Sequence, residues 1–102
     1  MRITFSAVNF PVADYQRVYA EYRFFRVTAR HDALIRAIKV AVRRDAAANR
    51  PFVCTVTVDL IRSGTVKTQA RAAHPTAAID RAAERLAWLL ERRMGHAATV
   101  SA

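Results

Sequence analysis

Residues 52–72 read FVCTVTVDLIRSGTVKTQARA, and their period decides the fold. Phe52, Cys54, Val56, Val58 and Leu60 fall on one side of an extended chain, while Thr55, Thr57 and Asp59 fall on the other. Side chains of a strand alternate between faces, so such a run predicts a strand over residues 52–62 with one face in a core. Ser63-Gly64 predicts a two-residue hairpin turn, because glycine tolerates the positive φ that tight turns demand. The chain returns over 65–72, with Val66 and Ala70 inward and Lys67, Gln69 and Arg71 outward.

Upstream, residues 35–44 alternate in the same way, Ile38, Val40 and Val42 against Lys39, Ala41 and Arg43. Residues 45–51 form a polar, Ala-rich connector. Residues 1–7 alternate around Ile3 and Phe5 and predict a further strand, broken by Asn9-Phe10-Pro11 because proline cannot donate to a ladder. Between these strands Tyr15, Val18, Tyr19, Tyr22, Phe25 and Ala29 recur at three- and four-residue spacing. That spacing predicts a helix from an Asp14 N-cap to about Ala33, with those residues inward. Alternation within 24–30 offers a strand as the rival reading. Downstream, His74-Pro75-Thr76 opens a second helix, proline being favoured in the first turn. Its inward stripe is Ile79, Ala82, Ala83, Leu86, Leu89 or Leu90, and Met94, with Gly95 as its stop and Trp88 at the rim of the core.

The order β-α-β-β-β-α predicts an α+β two-layer sandwich, a four-stranded sheet with both helices on one face. A β-α-β crossover is right-handed and delivers its helix to one face. The second helix has to bury its own stripe, and the same face serves both. The opposite sheet face is then left to solvent. Residues 1–95 are expected to form a single domain, followed by a flexible tail over 96–102.

Seventeen Lys and Arg against eight Asp and Glu leave a net charge of +9 in 102 residues. A single-sign field of this size favours a polyanionic partner, a nucleic acid or an anionic membrane surface. Fifteen of the cations are Arg, whose planar fork grips phosphate and stacks on bases, which tilts the choice toward RNA. A GC-rich genome would account for the Arg to Lys ratio, though not for the excess of positive charge. Cys54 is the lone cysteine, so no disulfide forms within the chain. The chain carries no signal-peptide pattern and no apolar run of membrane-spanning length, and the reading is cytoplasmic.

Arg23, Arg26 and Arg30 share a face of the first helix, and Arg81, Arg85 and Arg92 share one on the second, with Arg93 beside them. Two neighbouring basic ridges would suit a phosphate backbone. Ordinary solvated faces, in which Asp80 and Glu84 pair locally with Arg81 and Arg85, are the alternative. Lys39 and Lys67, with Arg43 and Arg71, form a thinner patch on the open sheet face. That face lacks the exposed Phe or Tyr of a base-stacking sheet, so recognition of shape and phosphate is expected there.

His31, His74 and His96 are scattered, Cys54 points inward as a small hydrophobe, and no phosphate-loop glycines or metal-ligand spacing occur. The expectation is a binding protein, not an enzyme, with no cofactor and no metal. Trp88 could also stack on RNA.

The block VCTVTVDLIRSGTVKTQARAAHPTAAIDRAAERLAWLLERR, residues 53–93, resembles the C-terminal part of the hibernation-promoting factor family. That family is also known as ribosome-associated inhibitors or sigma-54 modulation proteins. Its helix signature appears as Ala77-Ala78-Ile79-Asp80. Upstream, Val18-Tyr19-Ala20-Glu21-Tyr22-Arg23 and Ile35-Arg36-Ala37-Ile38-Lys39-Val40 fall where the family has its first helix and second strand. The resemblance implies a short-form member that binds the small ribosomal subunit (16S rRNA) in the channel between head and body; a monomer is favoured but the oligomeric state stays open, as does whether it pairs ribosomes or only blocks that channel. There it would silence translation under stress. It also implies RNA contacts by Arg23, Arg26, Arg30, Arg81, Arg85 and Arg92, no membrane and no small-molecule substrate. Trp88 departs from the pattern, standing where the family has Arg or Lys. A general binder of double-stranded RNA or DNA, or a protein-interaction adaptor, are the other readings.

Overall fold

The computed structural model describes residues 1–46 and 48–95. Four strands form one sheet in the order β1-β2-β3-β4: β1 (Arg2–Val8), β2 (Ile35–Arg44), β3 (Phe52–Leu60) and β4 (Gly64–Ala72). β1 runs parallel to β2, and the other neighbours are antiparallel. Helices α1 (Asp14–Thr28) and α2 (Pro75–Leu90) complete the β-α-β-β-β-α order, an α+β fold. Phe24 of α1 and Ile79, Leu86 and Leu90 of α2 share one core with Ile38, Val40, Val42, Cys54, Val56 and Val58 of the sheet. The expected strand faces hold: Lys39, Thr57 and Lys67 align across β2, β3 and β4 on the side away from that core. None of the described helices is long and apolar enough to cross a membrane.

Local chemistry explains where elements begin and end. Asn9 takes a φ of 68° after β1, a left-handed conformation that Asn reaches more readily than most residues. Ala13, not the expected Asp14, is the N-cap of α1; the Gln16 side chain accepts from the Ala13 N–H at 3.0 Å, and Asp14 lies in the first turn. Its α-helical stretch stops at Thr28, whose hydroxyl donates back to the Phe24 carbonyl at 2.7 Å. A 3₁₀ segment, Ala29–Leu34, then carries the chain into β2, so the helix expected to run unbroken to Ala33 tightens over its last turns. His74 is the N-cap of α2 with Pro75 in its first turn, and the last turn widens to a π-helix over Glu91–Gly95.

Three further sequence-based expectations are corrected. The β3–β4 connection spans Ile61, Arg62 and Ser63, with Gly64 (φ 80°) still paired to Leu60, and is not the two-residue Ser63-Gly64 turn. A left-handed glycine closing a three-residue loop matches the twist of the strands it joins. Larger is the error on α1. Its buried residues are Ala20, Phe24 and Thr28, whereas Tyr15 (71% exposed), Val18, Tyr22 and Phe25 (53%) face solvent. Trp88 is 58% exposed on the outer face of α2 and takes no part in the core rim. The expected inward side chain of Met94 and the tail over 96–102 lie outside the described residues.

Both free edges of the sheet are met by guanidinium groups. Arg17 donates to the Phe5 carbonyl of β1 at 3.1 Å and lies 5.4 Å from the Phe5 ring. Arg81 and Arg85 reach the carbonyls of Arg71 and Gln69 on β4, at 2.9 and 2.6 Å. Filling edge acceptors with charged donors discourages another strand from pairing there.

Cys54 is fully buried beside Val56 on β3, and burial pushes its thiol up to about 12. The unfolded thiol ionises near 9 while the folded one stays protonated, so stability should fall as pH rises from 9 toward 12. A thiol-modifying reagent at pH 8 is expected to leave Cys54 unmodified in the folded protein and to label it in guanidinium chloride. Equal labelling rates in the two conditions would contradict its burial.

Candidate nucleic-acid interface

The charged residues of α2 divide between two flanks. Toward α1 stand Asp80 and, in the π-helical turn that follows, Glu91; toward the β4 edge stand Arg81 and Arg85, with Glu84 beside them. This division follows from the core stripe of Ile79, Ala82, Ala83, Leu86 and Leu90, which fixes the rotation of the helix and so aims every other position.

On the α1 side, Asp80 accepts from both the Tyr19 hydroxyl and Arg23 Nε, the latter at 3.2 Å. The hydrogen bond to Asp80, and then burial, hold the Tyr19 hydroxyl above its ordinary value. Arg30 pairs with Glu91 at 3.3 Å. Arg26 donates to the Tyr22 hydroxyl at 3.3 Å and lies over its ring. The expectation of two neighbouring basic ridges is therefore corrected. Acids of α2 sit between the ridges and neutralise two of the three α1-side arginines.

The other flank is different. Among the described residues no ion pair reaches Arg81, Arg85, Arg92 or Arg93. Arg81 and Arg85 are held by the β4 carbonyls, Arg93 donates to the Ser63 carbonyl at 2.6 Å, and Arg92 lies 4.6 Å above the Trp88 ring. A carbonyl orients a guanidinium without cancelling its charge and leaves its other N–H groups free. Arg50, Arg71, Arg81 and Arg85 line one concavity of about 390 Å³, with Glu84 as its acidic member. Arg71 is itself tied to the β2–β3 loop, donating to the Arg50 carbonyl at 3.3 Å and to Asp45 at 3.4 Å. Four guanidinium groups around a hollow can grip one or two phosphates through forked hydrogen bonds.

Sequence reasoning named Arg81, Arg85, Arg92 and Arg93, and the structure brings them to one side of α2. Lys39 and Lys67 stand apart on the open face of the sheet, with Arg43. Arg50 was missed altogether. Its signal was the hairpin register, since pairing Phe52 with Ala72 sets the end of the preceding loop beside Arg71.

Comparison with known proteins places this architecture. Residues 3–96 match the family described as sigma 54 modulation protein / S30EA ribosomal protein. The crystal structure of the N-terminal domain of protein Y from Thermus thermophilus superposes with a TM-score of 0.73 at 29% identity, covering 90% of this chain and 98% of that one. A ribosomal subunit interface protein from Coxiella burnetii shares the fold at 17% identity, with a TM-score of 0.78 over 90% of this chain and 96% of that one. No match appears among curated protein sequences. With nearly its whole length matched, the chain belongs to the sigma 54 modulation protein / S30EA ribosomal protein family.

Proposed function

We propose that this chain binds RNA of the small ribosomal subunit through the outer flank of α2 and silences translation by occupying the decoding channel. One observation carries the reading: Arg81, Arg85, Arg92 and Arg93 lie on one flank with no acidic partner among the described residues, and Arg50 and Arg71 extend that flank across the β4 edge. Family membership supports the ribosome as the source of the RNA. Arg23 and Arg30 contribute less than their position suggests, because Asp80 and Glu91 already hold them. Residues 1–95 act as one unit, as a monomer in the cytoplasm, by binding and not by catalysis.

The test is co-sedimentation of the full chain with purified small subunits at rising salt. Each phosphate neutralised releases a condensed counterion, so four contacts give a slope of log K against log salt near −3 to −4. A binding constant independent of salt would refute the electrostatic surface. Competition with bulk duplex RNA separates the alternative of a general duplex binder, which would be displaced at modest excess.

A further inference from the structure

We propose that Trp88 stacks on an unpaired base of the bound RNA, so that α2 reads exposed bases as well as phosphates; the inference rests on the RNA-binding reading above. Arg81, Arg85, Trp88 and Arg92 follow one another at spacings of four, three and four, which lines them up on one side of a helix. Trp88 therefore borders the cationic flank, with Arg85 and Arg92 one turn away on one side and Glu84 and Glu91 one turn away on the other. An indole that is 58% exposed forgoes most of the stabilisation that burial would bring, and the core positions on either side of it are filled by Leu86 and Leu90.

Its neighbours indicate what the ring is for. The Arg92 guanidinium lies 4.6 Å from the ring centroid, which restrains the indole before any ligand arrives. A ring already held in place loses less freedom on binding. One π-face is taken by Arg92, and the exposed remainder of the ring is offered to solvent beside Arg81 and Arg85. An aromatic platform flanked by phosphate-binding cations is the combination that binds single-stranded nucleic acid, because every base presents a π-face. Glu84 is the acidic member of the concavity that Arg81 and Arg85 line, and Glu91 is already paired with Arg30, so the surroundings of the ring keep a net positive charge. Two exposed aromatics of α1 have other surroundings: Tyr22 and Phe25, with Val18, border a hollow with Glu21 and Asp32, whose carboxylates would repel phosphates.

Trp88 is the one tryptophan in the sequence, so intrinsic fluorescence reports on it alone. The full chain is titrated with a single-stranded RNA oligonucleotide and, separately, with a fully paired duplex of the same length. Stacking predicts strong quenching by the single strand and little by the duplex, though both bind. Trp88→Ala should weaken single-strand binding about tenfold with the salt slope unchanged, and Trp88→Phe should restore most of the loss. Saturating single-stranded RNA that leaves the fluorescence unaltered, or a Trp88→Ala variant that binds it as tightly as the parent, overturns the stacking role while leaving the phosphate-binding flank standing. Failure of both RNAs to bind removes the RNA reading itself and the role of Trp88 with it. A ring that responds to RNA-free ribosomal protein and not to RNA would assign Trp88 to a protein contact instead.

Discussion

Replacing Arg81, Arg85 and Arg92 together by Glu should weaken binding to the small subunit by a hundredfold or more. On the proposed interface each substitution would remove one phosphate contact and install a repelling charge, and the three lie on one side of the helix. The matched control is Lys39→Glu, Arg43→Glu and Lys67→Glu on the far face of the sheet, which alters the net charge equally. If long-range attraction alone held the complex, both triples would fail alike. A local surface predicts near-complete loss for the helix triple, a few-fold loss for the sheet triple, and a salt slope shallower by roughly three only in the former. Arg81 and Arg85 also fill carbonyls on the β4 edge, at a net value of roughly 1 kcal/mol each, so the helix triple should melt somewhat earlier yet remain folded. Far-ultraviolet circular dichroism and a melting curve check this. Equal loss in the two folded triples would reject the α2 flank as the site.

Much of the fold was legible because strand alternation is a strong signal where one face is buried. Phe52 to Leu60 carries five apolar residues in strict alternation, and a slip of one residue would expose all of them. Helix α2 was legible for a similar reason, since Ile79, Ala82, Ala83, Leu86 and Leu90 form one continuous stripe with no competitor. Helix α1 carries two stripes. The one with more apolar surface, Tyr15, Val18, Tyr22 and Phe25, is exposed, while the one that packs consists of Ala20, Phe24 and Thr28. Ala20 and Thr28 are small and let the helix approach closely while Phe24 fills the core, so the tighter contact belongs to the stripe with fewer large side chains. Period alone ranks the stripes the other way.

The site was half legible for a related reason. Helical spacing groups Arg81, Arg85 and Arg92 on one side, because α2's rotation follows from its core stripe. Spacing within a helix is silent about what stands opposite, however. That Arg23 meets Asp80 and Arg30 meets Glu91 depends on how two helices 61 or 57 positions apart are set against each other. The basic loop residue Arg50 was hidden in the same way, its value arising only from the register that puts it beside Arg71. Charges could be assigned to faces from sequence; which of them remained uncompensated could not.

Asp80→Ala should cost about 2 kcal/mol of stability, a fall in Tm of roughly 10 °C, while leaving RNA binding intact. Asp80 is the point where α1 and α2 are tied together by polar contacts, accepting from the Tyr19 hydroxyl and from Arg23 Nε on a single oxygen. Hydrogen bonds to a charged acceptor are worth about 1.5–3 kcal/mol when well sheltered, and solvent screening lowers that here, since the two ion-paired side chains are 27% and 37% exposed. Removing the carboxylate leaves a partly sheltered guanidinium without its counter-charge, which accounts for the rest of the cost. Double-mutant cycles separate the two contacts: Tyr19→Phe and Asp80→Ala should couple by about 1 kcal/mol, and Asp80→Asn should fall between the parent and the alanine variant. With Asp80 gone, the Tyr19 hydroxyl should ionise at a lower pH than in the parent, because its acceptor had stabilised the protonated form. A ring-resonance titration by NMR reads that shift directly. Freed of its partner, Arg23 adds positive charge to the helix layer, so affinity for small subunits at low salt should hold or rise. An Asp80→Ala protein that stays folded yet loses binding would mean that the α1–α2 clamp itself touches RNA, and would move the interface off the outer flank of α2.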